Sequence, residues 1–132
     1  MNIGAGKCNL PKMDEQRFLK IKAAFERHGG IMASAPEIDA HLERIGAESS
    51  TLNQNTILIK TDRIPSASAV YEELIHTAQF RDGQAIGSNW IDMEIEAKVK
   101  LIKYQKYYQI SDAEHQATLQ QLRYLVNRQR GE

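Results

Sequence analysis

The sequence predicts a small α+β domain: N-terminal helices with a β-hairpin or small sheet, followed by three helices. Three observations predict it. Apolar residues recur at helical spacing in long stretches at both ends of the chain. Two β-rich runs double back around Asn53-Gln54-Asn55 in between. Gly, Pro and Ser punctuation falls where one period gives way to the next, which segregates helices and strands instead of alternating them.

Taken in order, residues 1–11 read as a flexible lead and 12–132 as a single domain. Pro11 opens a helical pattern over roughly 12–28, with Phe18, Ile21 and Phe25 on one face and Gly29-Gly30 as its stop. Ile31 to Ser34 is a short strand. Pro36 sits in the first turn of a second helix whose apolar stripe is Ile38, Leu42 and Ile45, and Gly46 ends it. Ser50-Thr51-Leu52 and Thr56-Ile57-Leu58-Ile59 form the hairpin. After Pro65, Ser66 or Ser68 caps a helix that reaches about Phe80, where Arg81-Asp82-Gly83 breaks it. A long helix is expected from about Asn89 to Tyr108. Ser111-Asp112-Ala113-Glu114 is a capping box that starts the last helix.

With 132 residues the chain can bury one modest core. Its formal net charge is zero, and Arg123, Arg128 and Arg130 do not make a patch, so a nucleic-acid partner is disfavoured. No apolar run is long enough to span a bilayer, and no membrane role is expected. Cys8 stands alone, which excludes a disulfide framework or a thiolate zinc site; it reads as an inert thiol. Met1 to Lys7 lacks the apolar stretch of a secretory signal, so the protein acts where it is made or is exported by other means.

The chemistry concentrates in Tyr71-Glu72-Glu73-Leu74-Ile75-His76-Thr77-Ala78-Gln79. At about 100° per residue, Val70, Tyr71, Leu74, Ile75 and Ala78 share one sector and Glu72, Glu73, His76 and Gln79 the opposite one. Glu72 and His76 stack one turn apart, with Glu73 offset beside them. A HExxH helix presents two metal ligands in this way and swings the intervening glutamate alongside as general base. Here the first ligand position is Glu72. The plain alternative is a solvated polar face carrying a weak Glu72–His76 surface pair.

Glu94-Ile95-Glu96-Ala97 supplies a second acidic cluster. Trp90, Ile91, Ile95, Ala97, Val99, Leu101 and Ile102 sweep out a wide apolar sector that includes Glu94, whereas Glu96 points toward Lys100 and Lys103. A core-facing carboxylate needs a partner. Lys98, one turn on, offers an ordinary ion pair, and a metal shared with the preceding helix offers the sharper alternative. Glu94 is therefore the favoured third ligand and Glu96 the other candidate.

The run Gly29-Gly30-Ile31, Glu37-Ile38-Asp39, Gly46-Ala47-Glu48, Thr56-Ile57-Leu58, Val70 to Arg81 and Glu94 to Ala97 resembles the zincin-like metallopeptidase toxin domain of bacterial polymorphic toxin systems. The resemblance covers most of residues 15–125, and Glu-Glu-Leu-Ile-His-x-x-Gln is its most specific part. Glu-x-Glu-Ala also resembles the third-ligand segment of ImmA/IrrE-type peptidases, whose first glutamate is the ligand. The resemblance implies a metal-dependent peptidase with Glu72, His76 and Glu94 as ligands and Glu73 as the catalytic base. It also implies a protein substrate, an immunity protein and a larger carrier protein. Such a toxin would be made in the bacterial cytoplasm without its own signal peptide, then exported and delivered into target cells. Position 72 departs from the family's histidine. One nitrogen and two carboxylates make a harder, more anionic site than two histidines and a carboxylate, which lowers zinc affinity and admits manganese or iron, with zinc still the expected metal.

Other readings compete. The chain fits a non-catalytic protein-binding module on a degenerate zincin scaffold. Glu73-Leu74-Ile75-His76 also fits half of a dimetal bundle site, whose second half would have to be Asp112-Ala113-Glu114-His115. Those residues read better as a helix cap. Tyr104 or Tyr107 could donate to an oxyanion. His28 is expected to end the first helix and His41 to lie on the polar side of its own.

Overall fold

In a computed structural model, residues 10–83 and 90–131 are described. Most of the 1–11 lead, including Cys8, and the expected helix start at Asn89 lie outside them. The elements are α1 (Glu15–Arg27), β1 (Ile31–Ala33), α2 (Pro36–Ile45), β2 (Ser49–Asn53), β3 (Thr56–Ile59), α3 (Ala67–Arg81), α4 (Trp90–Lys103) and α5 (Asp112–Gln129). Their order is the expected one: helix, strand, helix, hairpin, three helices. The fold is α+β.

The sheet runs β1-β3-β2, with β3 parallel to β1 and antiparallel to β2. The hairpin register pairs Ser49 with Ile59 and Thr51 with Ile57, and slips between Thr51 and Asn53. Because strand side chains alternate, Ser49 and Thr51 share a face. That face meets α3, and α3 in turn packs on α4, which packs on α5. Phe18, Met32, Ile57, Ile59, Val70, Ile75, Ala97, Leu101 and Ile110 form the core, with Ile21 and Phe25 packed against it.

Local signals explain most of the boundaries. Gly29 ends α1 in the left-handed region at φ 86°. Gly30 lies so close to the Phe25 ring that a Cβ would approach it to 2.5 Å. Pro36 opens α2, and left-handed Gly46 closes it. The α5 capping box is complete: Ser111 Oγ accepts from the Glu114 amide, and the Glu114 side chain accepts from the Ser111 amide.

Three expectations are corrected. Helix α1 starts at Glu15, not near residue 12, because Lys12 bridges Ser66 and the Met13 amide donates to the Pro65 carbonyl at 2.8 Å. Asp14 then caps the helix through its carboxylate and the Arg17 amide. Helix α4 stops at Lys103 instead of Tyr108. The chain turns through a left-handed Gln109 (φ 54°), and Tyr108 stacks on Tyr71 with ring centroids 4.2 Å apart. The buried face of α4 is also rotated. Met93, Glu94, Ala97, Lys98 and Leu101 face inward, while Ile91 and Ile95 are half-buried and Val99 is 46% exposed.

Candidate metal centre

Buried carboxylates from distant elements hold the start of α3. Ser66 Oγ caps the helix through the Ala69 amide. Glu48 accepts from both the Ser66 amide (3.0 Å) and its hydroxyl (2.8 Å), and Glu114 accepts from the Ser68 amide at 2.8 Å. The entry to the helix is therefore fixed from two directions, which sets the rotation of every side chain beyond it.

That rotation turns the polar sector inward. Glu72, Glu73, His76 and Gln79 are buried, whereas Tyr71, Leu74 and Ala78 of the apolar sector are only half-buried. The solvated-face alternative is overturned, because α3 is layered between β2 and α4 and its polar side lies within that layer.

Glu72, His76 and Glu94 come together there. His76 Nε2 lies 3.3 Å from Glu94 Oε1 and 3.7 Å from Glu72 Oε2, and one ligand atom of each residue falls within 4.8 Å of the other two. Glu72 and His76 are 1% exposed and Glu94 is 0%. Glu72 Oε2, His76 Nε2 and both Glu94 oxygens have no hydrogen-bond partner. Buried polar atoms are rarely left so. One such atom from each of the three residues converges here, and this buried group could hold a metal ion.

The imidazole is oriented from behind. His76 Nδ1 and Gln79 Oε1 are 2.7 Å apart; with the proton on Nδ1 the ring donates to Gln79 and presents Nε2 to the carboxylates. Gln79 itself donates to the Met93 carbonyl (3.0 Å) and to Glu96 Oε1 (2.6 Å), tying α3 to α4. Metal-binding histidines are commonly fixed through their second nitrogen in this way. Glu96 is thus a half-buried acceptor for Gln79, not directed only at lysines, and it is Glu94 that joins Glu72 and His76 in the group.

Lys98 departs from its expected partner. Its buried ammonium donates to Glu72 Oε1 across the helix–helix gap instead of pairing with Glu94 on its own helix. Burial works to raise the Glu72 carboxyl, but the charges of Lys98 and His76 outweigh it and hold it below the usual carboxylate range. Burial keeps the Glu94 carboxyl above that range despite His76. Burial opposes a charged His76 ring, yet the two facing carboxylates dominate and raise it to about 11.

Glu73 sits outside the triad. Its carboxylate is fully buried against β2, where Ser49 Oγ donates to Oε2 at 2.9 Å and Thr51 Oγ1 to Oε1 at 2.7 Å. Burial, reinforced by the neighbouring Glu72 charge, pushes Glu73 up to about 7, with the two hydroxyls working the other way. A carboxyl poised near neutrality can both take and return a proton.

Other sequence candidates fall elsewhere. Tyr104 and Tyr107 group edge-on around Tyr108, and Tyr107 is 80% exposed, so neither is brought to the triad. Arg17 donates to the Tyr71 hydroxyl and to the Tyr108 carbonyl on that side of α3. The dimetal arrangement does not form. Glu114 is consumed by the starts of α3 and α5, and Asp112 accepts from Gln105. His28 ends α1 with Nδ1 2.9 Å from the Ala24 carbonyl. Ser49, Thr51 and the Lys98–Glu72 pair were not anticipated. Only Gln79, one turn beyond His76 on the same face, was legible as a neighbour of the ring.

Comparison of the chain with protein-family models, with curated proteins and with solved structures finds no match in any of the three.

Proposed function

We propose that this chain is a metal-dependent hydrolase, a peptidase serving as a bacterial polymorphic toxin effector. Glu72, His76 and Glu94 would hold the divalent metal, and Glu73 would act as general base. The convergence of three buried ligand atoms, none with a hydrogen bond, supports this reading. An imidazole with two carboxylates suits zinc, and also manganese or iron.

A divalent metal at this position would act as a Lewis acid and bring the ionisation of water toward neutral pH. The residues supply the rest. Gln79 fixes the His76 ring, and Ser49 and Thr51 fix the Glu73 carboxylate. Glu73 takes the proton from the attacking water and delivers it to the leaving amine, a cycle that its near-neutral ionisation permits. The substrate is a protein; an immunity protein and a larger carrier complete the toxin reading.

Metal analysis combined with a Glu73→Gln variant tests this. Wild type and variant should both retain the metal, while the variant loses growth inhibition in a bacterial host and about 100-fold or more in cleavage rate. A metal-free wild type together with an unimpaired variant would end the hypothesis.

A non-catalytic binding module on the same scaffold is favoured by one observation. With His76 protonated, His76 and Lys98 balance Glu72 and Glu94 in a closed, buried network. On that reading Glu72→Ala and His76→Ala cost stability through the charges they strand but leave binding intact in the folded protein, and surface substitutions abolish it.

A further inference from the structure

We infer that Lys98 is a positioning residue that converts Glu72 into a one-atom, charge-compensated ligand, standing in for a neutral histidine. This rests on the metal reading above. The ammonium of Lys98, fully buried, holds Glu72 Oε1, while Oε2 of the same carboxylate faces His76 with no hydrogen bond of its own. One oxygen is occupied and the other is presented.

A purely structural acid in this protein looks different. Glu48 and Glu114, also buried, use both oxygens in hydrogen bonds to helix-start groups. Glu72 does not. Lys98 also lies one turn beyond Glu94 on α4, so the same helix face that delivers the third ligand delivers the counter-charge.

The charge count agrees. Two carboxylates, one ammonium and a neutral imidazole leave a single negative charge, the same as a set of two histidines and one carboxylate. Tying down Oε1 also prevents Glu72 from chelating through both oxygens. Single-atom donors in small number favour tetrahedral zinc, whereas extra carboxylate oxygens favour higher-coordinate metals such as manganese.

A double-mutant cycle on the full chain tests this, with zinc and manganese affinities measured by competition against a chelating dye and folding checked by melting in chelator. Glu72→His alone leaves Lys98 without its counter-ion beside the cation, and zinc affinity should fall at least tenfold. Glu72→His combined with Lys98→Met should recover to within a few-fold of wild type. Lys98→Met alone should lower the zinc-to-manganese affinity ratio at least tenfold.

Equal zinc affinity in Glu72→His and the double variant would overturn the inference, as would an unchanged ratio in Lys98→Met. If Glu72→His does not fold, the ratio in Lys98→Met decides; if Lys98→Met does not fold, the other two variants decide. If both single variants fail to fold, the double variant decides: zinc affinity within a few-fold of wild type supports the inference and a larger loss overturns it. A wild type that binds neither metal overturns the metal reading and this inference together, whereas a metal-binding wild type with an additive cycle overturns this inference alone.

Discussion

Two pairs of buried glutamates divide this protein. Glu48 and Glu114 reach the start of α3 with their carboxylates, and each has both oxygens engaged by serine amides and hydroxyls. Glu72 and Glu94, a few turns away, are buried as deeply yet leave three of their four oxygens without a hydrogen bond. The same side chain therefore does two jobs. Where the fold needs an acid, it saturates it; where oxygens are left bare around an imidazole, the group is set up to be completed by a cation. The difference separates acids that hold helix starts from acids that could take a cation; Glu73, with both oxygens held by Ser49 and Thr51, is saturated like the first pair.

The largest expected effect breaks the comparison on the ligand side. Zinc at about a thousandfold over its dissociation constant should stabilise the wild type by about 4 kcal/mol, read as a rise in melting temperature over a chelator-treated sample. Glu94→Gln should abolish that rise, and Glu114→Gln should keep it. On the structural side, Glu114→Gln strands at least one donor at the start of α3 or α5 and should cost about 1–3 kcal/mol with or without metal.

Acidity sharpens the contrast further. The folded-state pKa of Glu73, about 7, lies above its ordinary 4.5, so folding favours the protonated form. Its stabilising contribution is complete below pH 4.5 and is lost as pH rises through 7. In the metal-free protein, denaturant melts from pH 4.5 to 8 should show a decline for wild type that is reduced in Glu73→Gln. The proposed hydrolysis, in which Glu73 would act as an ionised base, should rise across the same interval. The smallest effect is local: Ser66→Ala should cost about 1 kcal/mol by removing the α3 cap, without changing metal affinity.

Much of this architecture was legible because local chemistry decided it. Pro36, Gly46, Ser66 and the Ser111–Glu114 box set helix ends within one or two residues. Helical periodicity placed Glu72 beside His76 and put Glu94 on the inward side of α4. What periodicity cannot say is which side of a two-faced helix meets the rest of the fold. On α3 the polar side is buried as well as Val70 and Ile75 of the apolar side, because β2 and α4 close over it. The hydroxyls of Ser49 and Thr51 reach Glu73 only once the hairpin lies along the helix. Lys98 was read against its own helix, where Glu94 is one turn away; the pairing with Glu72 depends on how two helices approach. The early end of α4 likewise depends on a distant surface, the Tyr71 ring that Tyr108 covers.

Anomalous diffraction at the zinc edge, from crystals grown with zinc, tests the central claim most directly. The account predicts a single strong peak about 2.0–2.2 Å from Glu72 Oε2, His76 Nε2 and a Glu94 oxygen, with Lys98 still on Glu72 Oε1. The absence of any peak between these residues, with His76 still held by the two carboxylates alone, would contradict it.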